Sequence, residues 1–425
     1  MTRLNSHRLL AAALLLLASC AGNDASFAGP KGRDSFARYV AIGTGISMGV
    51  RSAGVVYESQ LQSWPALLAT QAGALFDAPL LRTPGCSPPL IAPLREERYL
   101  SGAVITTRDS SCAGALGTYT APRSVLAIPG STWYTALHFT PKLVATTTLP
   151  LDVVDRALYP LVLAPTQSQV TAMVVSAPTL VSLELGFGEV LGAATTGQMV
   201  AATSYKQVTP FTYVPAVLAD SQIAAIADSV KRTGAKVLVA NVPRVTAIAA
   251  LRAGDELWQE RAALATFGVT VNADCNGNTN RLVTRIVPIL AAVARSSGTA
   301  QSLSCADVPG AADHVLTPAN IVTLNAVVDA MNVQLTAIAA ANGWALLDLN
   351  AVAQQFVTGR PAYKAGVQLS CSYPYGQFVS LDGVHPTAAG QQLIANAAAL
   401  ALNAKYGFAL PTSNVPVRAV AQLCP

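Results

Sequence analysis

Residues 39–49 read YVAIGTGISMG and combine a short apolar run, Tyr39–Ile42, with a turn that has glycine at positions 43, 45 and 49. The run has the length and β-branched composition of a buried strand, and the glycines mark the turn into a first helix. A strand that passes through such a turn into a helix is typical of the opening unit of an α/β fold.

Four more runs of this kind follow, bounded by turn-forming residues: Ser124–Ile128, Leu180–Leu185, Ala235–Ala240 and Ala345–Leu349. Helical patterns lie between several of them: Trp64–Ala72, Ser221–Thr233 and Pro318–Ala341. An alanine-rich helix, Thr387–Ala404, closes the pattern, and Thr387 is suited to cap its N-terminus. The alternation predicts βαβ units and a mainly parallel sheet.

Ligands of an open parallel sheet bind outside the carboxyl ends of its strands, so the residues that follow each strand are the candidates for a site. The first strand is followed by GTGISMG at residues 43–49, and the second by PGS at 129–131. The third is followed by GFGEVLG at 186–192, and LDGVHPT stands at 381–387.

These four blocks resemble those of the SGNH (GDSL-type) hydrolases in order, spacing and flanking residues, over residues 38–406. The resemblance implies a flavodoxin-like three-layer sandwich with a mainly parallel sheet of about five strands. It also implies roles for three residues. His385 would be the general base, Asp382 would orient it, and the backbone N–H of Gly130 would contribute to the oxyanion hole.

Two positions depart from the family pattern. Gly45 stands where the family has its serine nucleophile, and Gly188 stands where it has an asparagine that donates to the oxyanion. Glycine has no nucleophilic atom, and the loss of one oxyanion donor alone costs about 10²–10³ in rate. The register is hard to shift, because Gly43, Ile46 and the residues after them fit the first block around Gly45.

Several chemical interpretations remain open at this stage. Ser47 lies two residues beyond Gly45 and is either a replacement nucleophile or a helix cap. The Asp382–His385 pair could instead activate a water molecule in the space that the serine would occupy. Glu189 is either a replacement acid or base or a structural acid. The chain is therefore either an ester hydrolase acting on acyl or acetyl esters of lipids or glycans, or an inactive relative that binds such a ligand.

Two stretches interrupt the alternation, Pro79–Pro122 and Arg252–Pro309, and both are rich in turn residues. We interpret them as insertions that either wall a binding cleft or decorate the surface. Apart from Cys20 there are six cysteines, for which fifteen pairings exist. The simplest hypothesis pairs sequence neighbours: Cys86–Cys112, Cys275–Cys305 and Cys371–Cys424. The sequence has neither CxxC spacing nor clustered histidines, so we expect no metal and no cofactor.

The N-terminus has the pattern of an export signal. Arg3 and Arg8 precede the apolar run Leu9–Ala18, which is too short to span a bilayer. The run ends in LASC at residues 17–20, which resembles the lipobox of bacterial lipoproteins. The resemblance implies cleavage after residue 19 and lipidation of Cys20, and Ala21 favours the outer membrane. We therefore divide the chain into a signal (1–19), a tether (20–37), a hydrolase-like domain (38–408) and a tail (409–425).

Composition limits the range of partners. The formal net charge of +5 falls to +3 when Arg3 and Arg8 leave with the signal. Only 12% of residues are charged, and no basic cluster with interleaved aromatic residues exists, so we expect no nucleic-acid partner. The expected partners are the membrane, through the lipid anchor, and a lipid or glycan ester. The oligomeric state is open.

Overall fold

The structure is a computed structural model that describes residues 29–118, 123–148, 153–209, 211–358 and 360–424. The predicted signal and Cys20 lie outside these residues.

The chain forms a mixed α/β fold around a parallel sheet of four strands, in the order β1–β2–β3–β9. Three smaller strands (β4, β6 and β8) form an antiparallel sheet, and β5 pairs with β7. The strands are β1 Tyr39–Gly43, β2 Leu180–Glu184, β3 Lys236–Ala240, β4 Leu251–Ala253, β5 Val269–Val271, β6 Arg281–Val283, β7 Gln301–Leu303, β8 Val315–Leu316 and β9 Ala345–Leu347.

The prediction of about five strands in the main sheet exceeds the four that form. Residues 124–128 run parallel to β1 and exchange backbone hydrogen bonds with Ala41 and Gly43. Only one bridge, between Ala41 and Val125, meets the ladder pattern, so this edge segment is extended without becoming a strand. It occupies the edge next to β1, as the second strand of a flavodoxin-like order would.

The helices alternate with the strands of the main sheet as predicted. They are α1 Gly45–Met48, α2 Tyr57–Gln60, α3 Trp64–Gln71, α4 Trp133–His138, α5 Pro141–Thr146, α6 Val153–Val162, α7 Gln169–Val175, α8 Gly188–Thr196, α9 Ala216–Lys231, α10 Gly254–Gln259, α11 Arg261–Ala265, α12 Ile286–Ser297, α13 Pro318–Asn342, α14 Leu349–Thr358, α15 Ala365–Ser370, α16 Ala388–Tyr406 and α17 Val420–Leu423.

Two groups of helices pack against the sheet. Helices α3 and α16 pack on each other, and α16 contacts β3 and β9. Helices α9 and α13 pack together, and α13 contacts β9. Helix α13 is long and apolar enough to cross a membrane by length and composition alone, but its buried stripe of Leu324, Val328, Met331 and Leu335 belongs to the main core. Thr387 caps α16 by accepting from the N–H of Gly390, as predicted.

The two predicted insertions pack together as a second hydrophobic core. Leu94 and Tyr99 of the first insertion share this core with Leu257 and Leu282 of the second. All three disulfides pair sequence neighbours as predicted: Cys86–Cys112, Cys275–Cys305 and Cys371–Cys424. Each insertion therefore carries its own covalent staple.

Residues on both sides of the predicted domain contact the folded body. Within the predicted tether, Arg33–Phe36 forms a 3-10 helix, and Phe36 packs against Tyr39 in the main core. Within the predicted tail, Leu410 is buried and Cys424 is held to the body by its disulfide. Apolar anchors thus hold the flanks of the domain to its core.

Candidate active site

A histidine–aspartate pair lies in the loop before α16. The Nδ1 atom of His385 donates to Oδ2 of Asp382 at 2.9 Å. Asp382 is fully buried, whereas the His385 side chain is 18% exposed. In a neutral imidazole only one ring nitrogen carries a proton. Since Nδ1 uses that proton in its hydrogen bond to Asp382, Nε2 is an acceptor, as a general base requires.

Asp382 is held in its ionised form by its surroundings. Burial alone would raise the pKa of this carboxyl, but the adjacent His385, its hydrogen bonds and the charge of Arg285 lower the pKa well below its usual range. The backbone N–H groups of Ala53, Val384 and His385 all donate to the carboxylate, at 2.6–2.9 Å. The carboxylate is therefore fixed in position and charge, and it fixes the ring of His385.

The turn after β1 brings Gly45 directly opposite His385. A Cβ atom placed on Gly45 would lie 3.0 Å from Nε2 of His385 and 3.0 Å from Cγ2 of Val50. A hydroxyl on that carbon would be within reach of the imidazole. The structure thus places Gly45 next to His385, and His385 next to Asp382.

A small cavity fills the space in front of Gly45. Its volume is about 20 Å³, and Gly45, Gly130, Gly188 and His385 are among the residues that line it. This volume holds one water molecule. Within the described part of the chain, the backbone N–H groups of the three glycines donate to no protein acceptor. They are therefore the available donors for an oxyanion at this point.

Gly188 cannot carry a side chain in this backbone. A Cβ atom at position 188 would lie 2.3 Å from the carbonyl oxygen of Ser131 and 3.2 Å from that of Gly130. The backbone at 130–131 occupies the space that a side chain at position 188 would need. Glycine is required here by the close approach of another backbone.

The Ser47 hydroxyl is bonded to Glu184 and Trp64, and within the described residues no hydrogen bond joins it to His385. The Ser47 side chain is fully buried, and its hydroxyl donates to Oε2 of Glu184 at 2.9 Å and accepts from the indole N–H of Trp64 at 3.2 Å. Thr44 donates to the same carboxylate from its N–H and its hydroxyl. Ser47 therefore helps to anchor the turn on Glu184, a residue that the motif comparison did not single out.

Glu189 is buried next to the site and is held there by hydrogen bonds from two neighbours. Its Oε1 atom accepts from the backbone N–H of Trp133 at 2.7 Å and from the hydroxyl of Tyr205 at 3.3 Å. Burial raises the pKa of this carboxyl to about 8, although both hydrogen bonds oppose the shift. Its Oε2 atom and the Trp133 indole N–H are both buried without a partner in the described residues.

A larger cavity of about 340 Å³ adjoins the small one and shares Gly130, Gly188 and His385 with it. Its remaining wall includes Cys86, Ser87 and Arg108 from the first insertion and Arg285 from the second. The insertions therefore wall a cleft, which was one of the two predicted roles. Sequence reasoning missed both arginines, because neither stands in a motif and only the packing of the insertions brings them to His385.

The two other histidines of the described chain lie away from the pair. His138 is exposed, and its Nε2 atom bonds Gln222, while Nδ1 of His314 bonds the carbonyl of Thr195.

No protein-family model and no curated protein sequence matches the chain. A solved structure from Parabacteroides merdae, described as a GDSL-like lipase, aligns with 85% of this chain and 94% of its own. The sequence identity is 12% and the TM-score is 0.35. A likeness at this level is weak and leaves the family of the chain open.

Proposed function

We propose that the protein is a slow ester hydrolase in which His385 activates a water molecule held in front of Gly45. The observation that carries this proposal is the intact Asp382–His385 pair, whose free Nε2 atom faces a cavity with room for one water. Its derivation from the SGNH hydrolases remains part of the proposal and rests on the four sequence blocks.

The reaction needs no covalent intermediate. Nε2 of His385 takes a proton from the water, and the resulting hydroxide attacks the carbonyl carbon of the ester. The oxyanion that forms faces the N–H groups of Gly45, Gly130 and Gly188. When the intermediate collapses, the departing alkoxide takes the proton from Nε2, which leaves an acid, an alcohol and the starting enzyme.

The expected rate is low, because a bound water replaces an activated side chain. Enzymes that lose their nucleophile but keep binding and the oxyanion hole retain roughly 10³–10⁴-fold acceleration over water. The second candidate is a protein that binds an acylated lipid or glycan without turnover, which the absence of a nucleophile at Gly45 favours.

A hydrolysis assay with 4-nitrophenyl butyrate separates the two candidates. We expect linear release of nitrophenol without an initial burst, and a fall to the buffer rate in His385→Gln. His138→Gln is the matched control, because this exposed histidine lies outside both cavities. A native rate equal to that of buffer would overturn the hydrolase and leave the binding protein.

The location of the protein is proposed from its N-terminus alone. We propose that it is exported and anchored through lipidated Cys20, in the outer membrane. Metabolic labelling with a tagged fatty acid should label the native chain and not Cys20→Ala. Labelling of both chains would contradict the anchor.

A further inference from the structure

The larger cavity has an uneven distribution of charge. Arg108, Arg285 and His385 line it, and none of its lining residues in the described chain is Asp or Glu. Asp382, the nearest acid described above, is buried behind His385 and already accepts several hydrogen bonds. Of the lining residues that the structure describes, Arg285 thus brings a positive charge to the wall, and none of them brings a carboxylate.

Arg285 stands out among the polar groups of the wall. Its side chain is partly buried, and it makes no hydrogen bond or ion pair with any residue that the structure describes. Several hydroxyls of the wall are already engaged: Ser87 donates to the carbonyl of Ala53, Thr195 to that of Leu191, and Tyr205 to Glu189. The guanidinium thus offers up to five N–H donors that the protein itself does not use.

The position of Arg285 is fixed by its neighbours. It lies between β6 and the start of α12, directly after Thr284. The N–H and the hydroxyl of buried Thr284 both donate to the carbonyl of Ala250, at 2.9 Å each. The backbone at this point is therefore tied to the main core, and the arginine is held over the cavity.

The rest of the wall combines hydroxyl-bearing residues with apolar ones. Val50, Val55, Phe139, Leu191 and Val208 contribute side chains to it. A ligand that fits this wall has an apolar part as well as a group that an arginine binds. A cavity of about 340 Å³ lies within the range of small-molecule sites.

We propose that the ligand of this cavity is an acyl ester that carries an anionic group, a carboxylate or a phosphate, and that Arg285 binds this group. The planar fork of a guanidinium matches both oxyanions in geometry. The acyl chain packs on the apolar wall, and the ester lies toward His385. The inference rests on the proposed function for the position of the ester and on Arg285 for the charge.

The test measures binding by calorimetry with three butyryl esters: neutral 1-butyrylglycerol, 1-butyrylglycerol 3-phosphate and 3-(butyryloxy)propanoate. The full chain carries His385→Gln throughout, so that turnover does not consume the ligand. We expect at least one anionic ester to bind about tenfold or more tightly than the neutral one. The tighter of the two anions identifies the group, either phosphate or carboxylate.

Variants of one residue test the role of Arg285. Arg285→Gln should remove the preference for the anion and leave the Kd of the neutral ester unchanged, while Arg285→Lys should keep part of it. Lys231→Gln is the control, because it removes one positive charge from an exposed position outside the cavity. Three outcomes would overturn the inference. They are equal affinity for neutral and anionic esters, a preference for the anion that survives in Arg285→Gln, and no binding of any ester. Failure of the hydrolysis assay would leave these Kd values untouched, so the two proposals fail separately.

Discussion

Gly45 and Gly188, the two glycines of the candidate site, differ in what surrounds them. In front of Gly45 there is space for a water molecule, but a Cβ atom would lie 3.0 Å from Nε2 of His385 and 3.0 and 3.3 Å from Cγ2 and Cβ of Val50. Behind Gly188 the carbonyl of Ser131 lies 2.3 Å from where a Cβ atom would stand. A side chain at position 45 would require two neighbouring side chains to shift, whereas a side chain at position 188 would require backbone to move. Equivalent losses in the sequence therefore have unequal structural meanings.

The sharpest test of this difference is to place a serine at position 45. Gly45→Ser combined with Val50→Ala, which removes the close Cγ2 contact, should place a hydroxyl beside Nε2 of His385. We expect kcat/KM for 4-nitrophenyl butyrate to rise about 100-fold, with a burst of nitrophenol from an acyl-enzyme. Gly45→Ala with Val50→Ala is the control, and it should lower the native rate by displacing the water. A serine variant no faster than the native chain would contradict the geometry of the site.

The carboxyl next to Gly188 gives a pH-dependent test. Burial raises the pKa of Glu189 to about 8, so its contribution to stability is fully present below about pH 4.5 and is lost as the pH rises through 8. Between pH 5 and 9, the unfolding free energy of the native chain should therefore fall by on the order of a few kcal/mol more than that of Glu189→Gln. Thermal melts across this pH range measure the difference as a smaller fall in Tm for the variant. Glu96→Gln, at an exposed position, should follow the native curve. Parallel curves for the Glu189 variant and the native chain would show that this carboxyl is not protonated when buried.

At position 188 we expect an added side chain to lower stability and to bring no gain in activity. Gly188→Ala should cost about 1–3 kcal/mol, because the loop at 130–131 must move to admit a methyl group. Gly366→Ala is the matched control, since this helical glycine is exposed and has nothing within 4 Å of an added Cβ atom. Chemical denaturation of both variants measures the difference. Equal stability would mean that the loop at 130–131 moves at little cost and that position 188 admits a side chain.

The smallest effect is expected at Ser47, two residues beyond Gly45. Ser47→Ala removes one donor to Glu184 and leaves the indole N–H of Trp64 without its acceptor. We expect a loss of about 1 kcal/mol in unfolding free energy and a rate of ester hydrolysis within twofold of the native one. Loss of activity without loss of stability would restore Ser47 as the nucleophile.

The sequence predicts the main sheet well because its strands are short apolar runs between turn residues, as in Leu180–Glu184. It also predicts the approach of Asp382 to His385, since a three-residue spacing at the start of a helix is a local feature. It fails where the outcome depends on distant contacts. In the sequence Ser47 stands close to the turn at Gly45, but in the structure its hydroxyl is bonded to Glu184. Arg285 reaches the cavity only through the packing of an insertion.

The separation of the two hydrophobic cores has a practical consequence for producing the protein. Arg108 and Arg285 of the cavity wall belong to the insertions that contain the Cys86–Cys112 and Cys275–Cys305 disulfides. Cys86 packs in the main core, whereas Cys275 and Cys305 pack in the second core. Recombinant chain made in a reducing cytosol would lack these two cross-links. We expect its cavity wall to be less ordered, so oxidative folding is the route to a sample for the binding measurements.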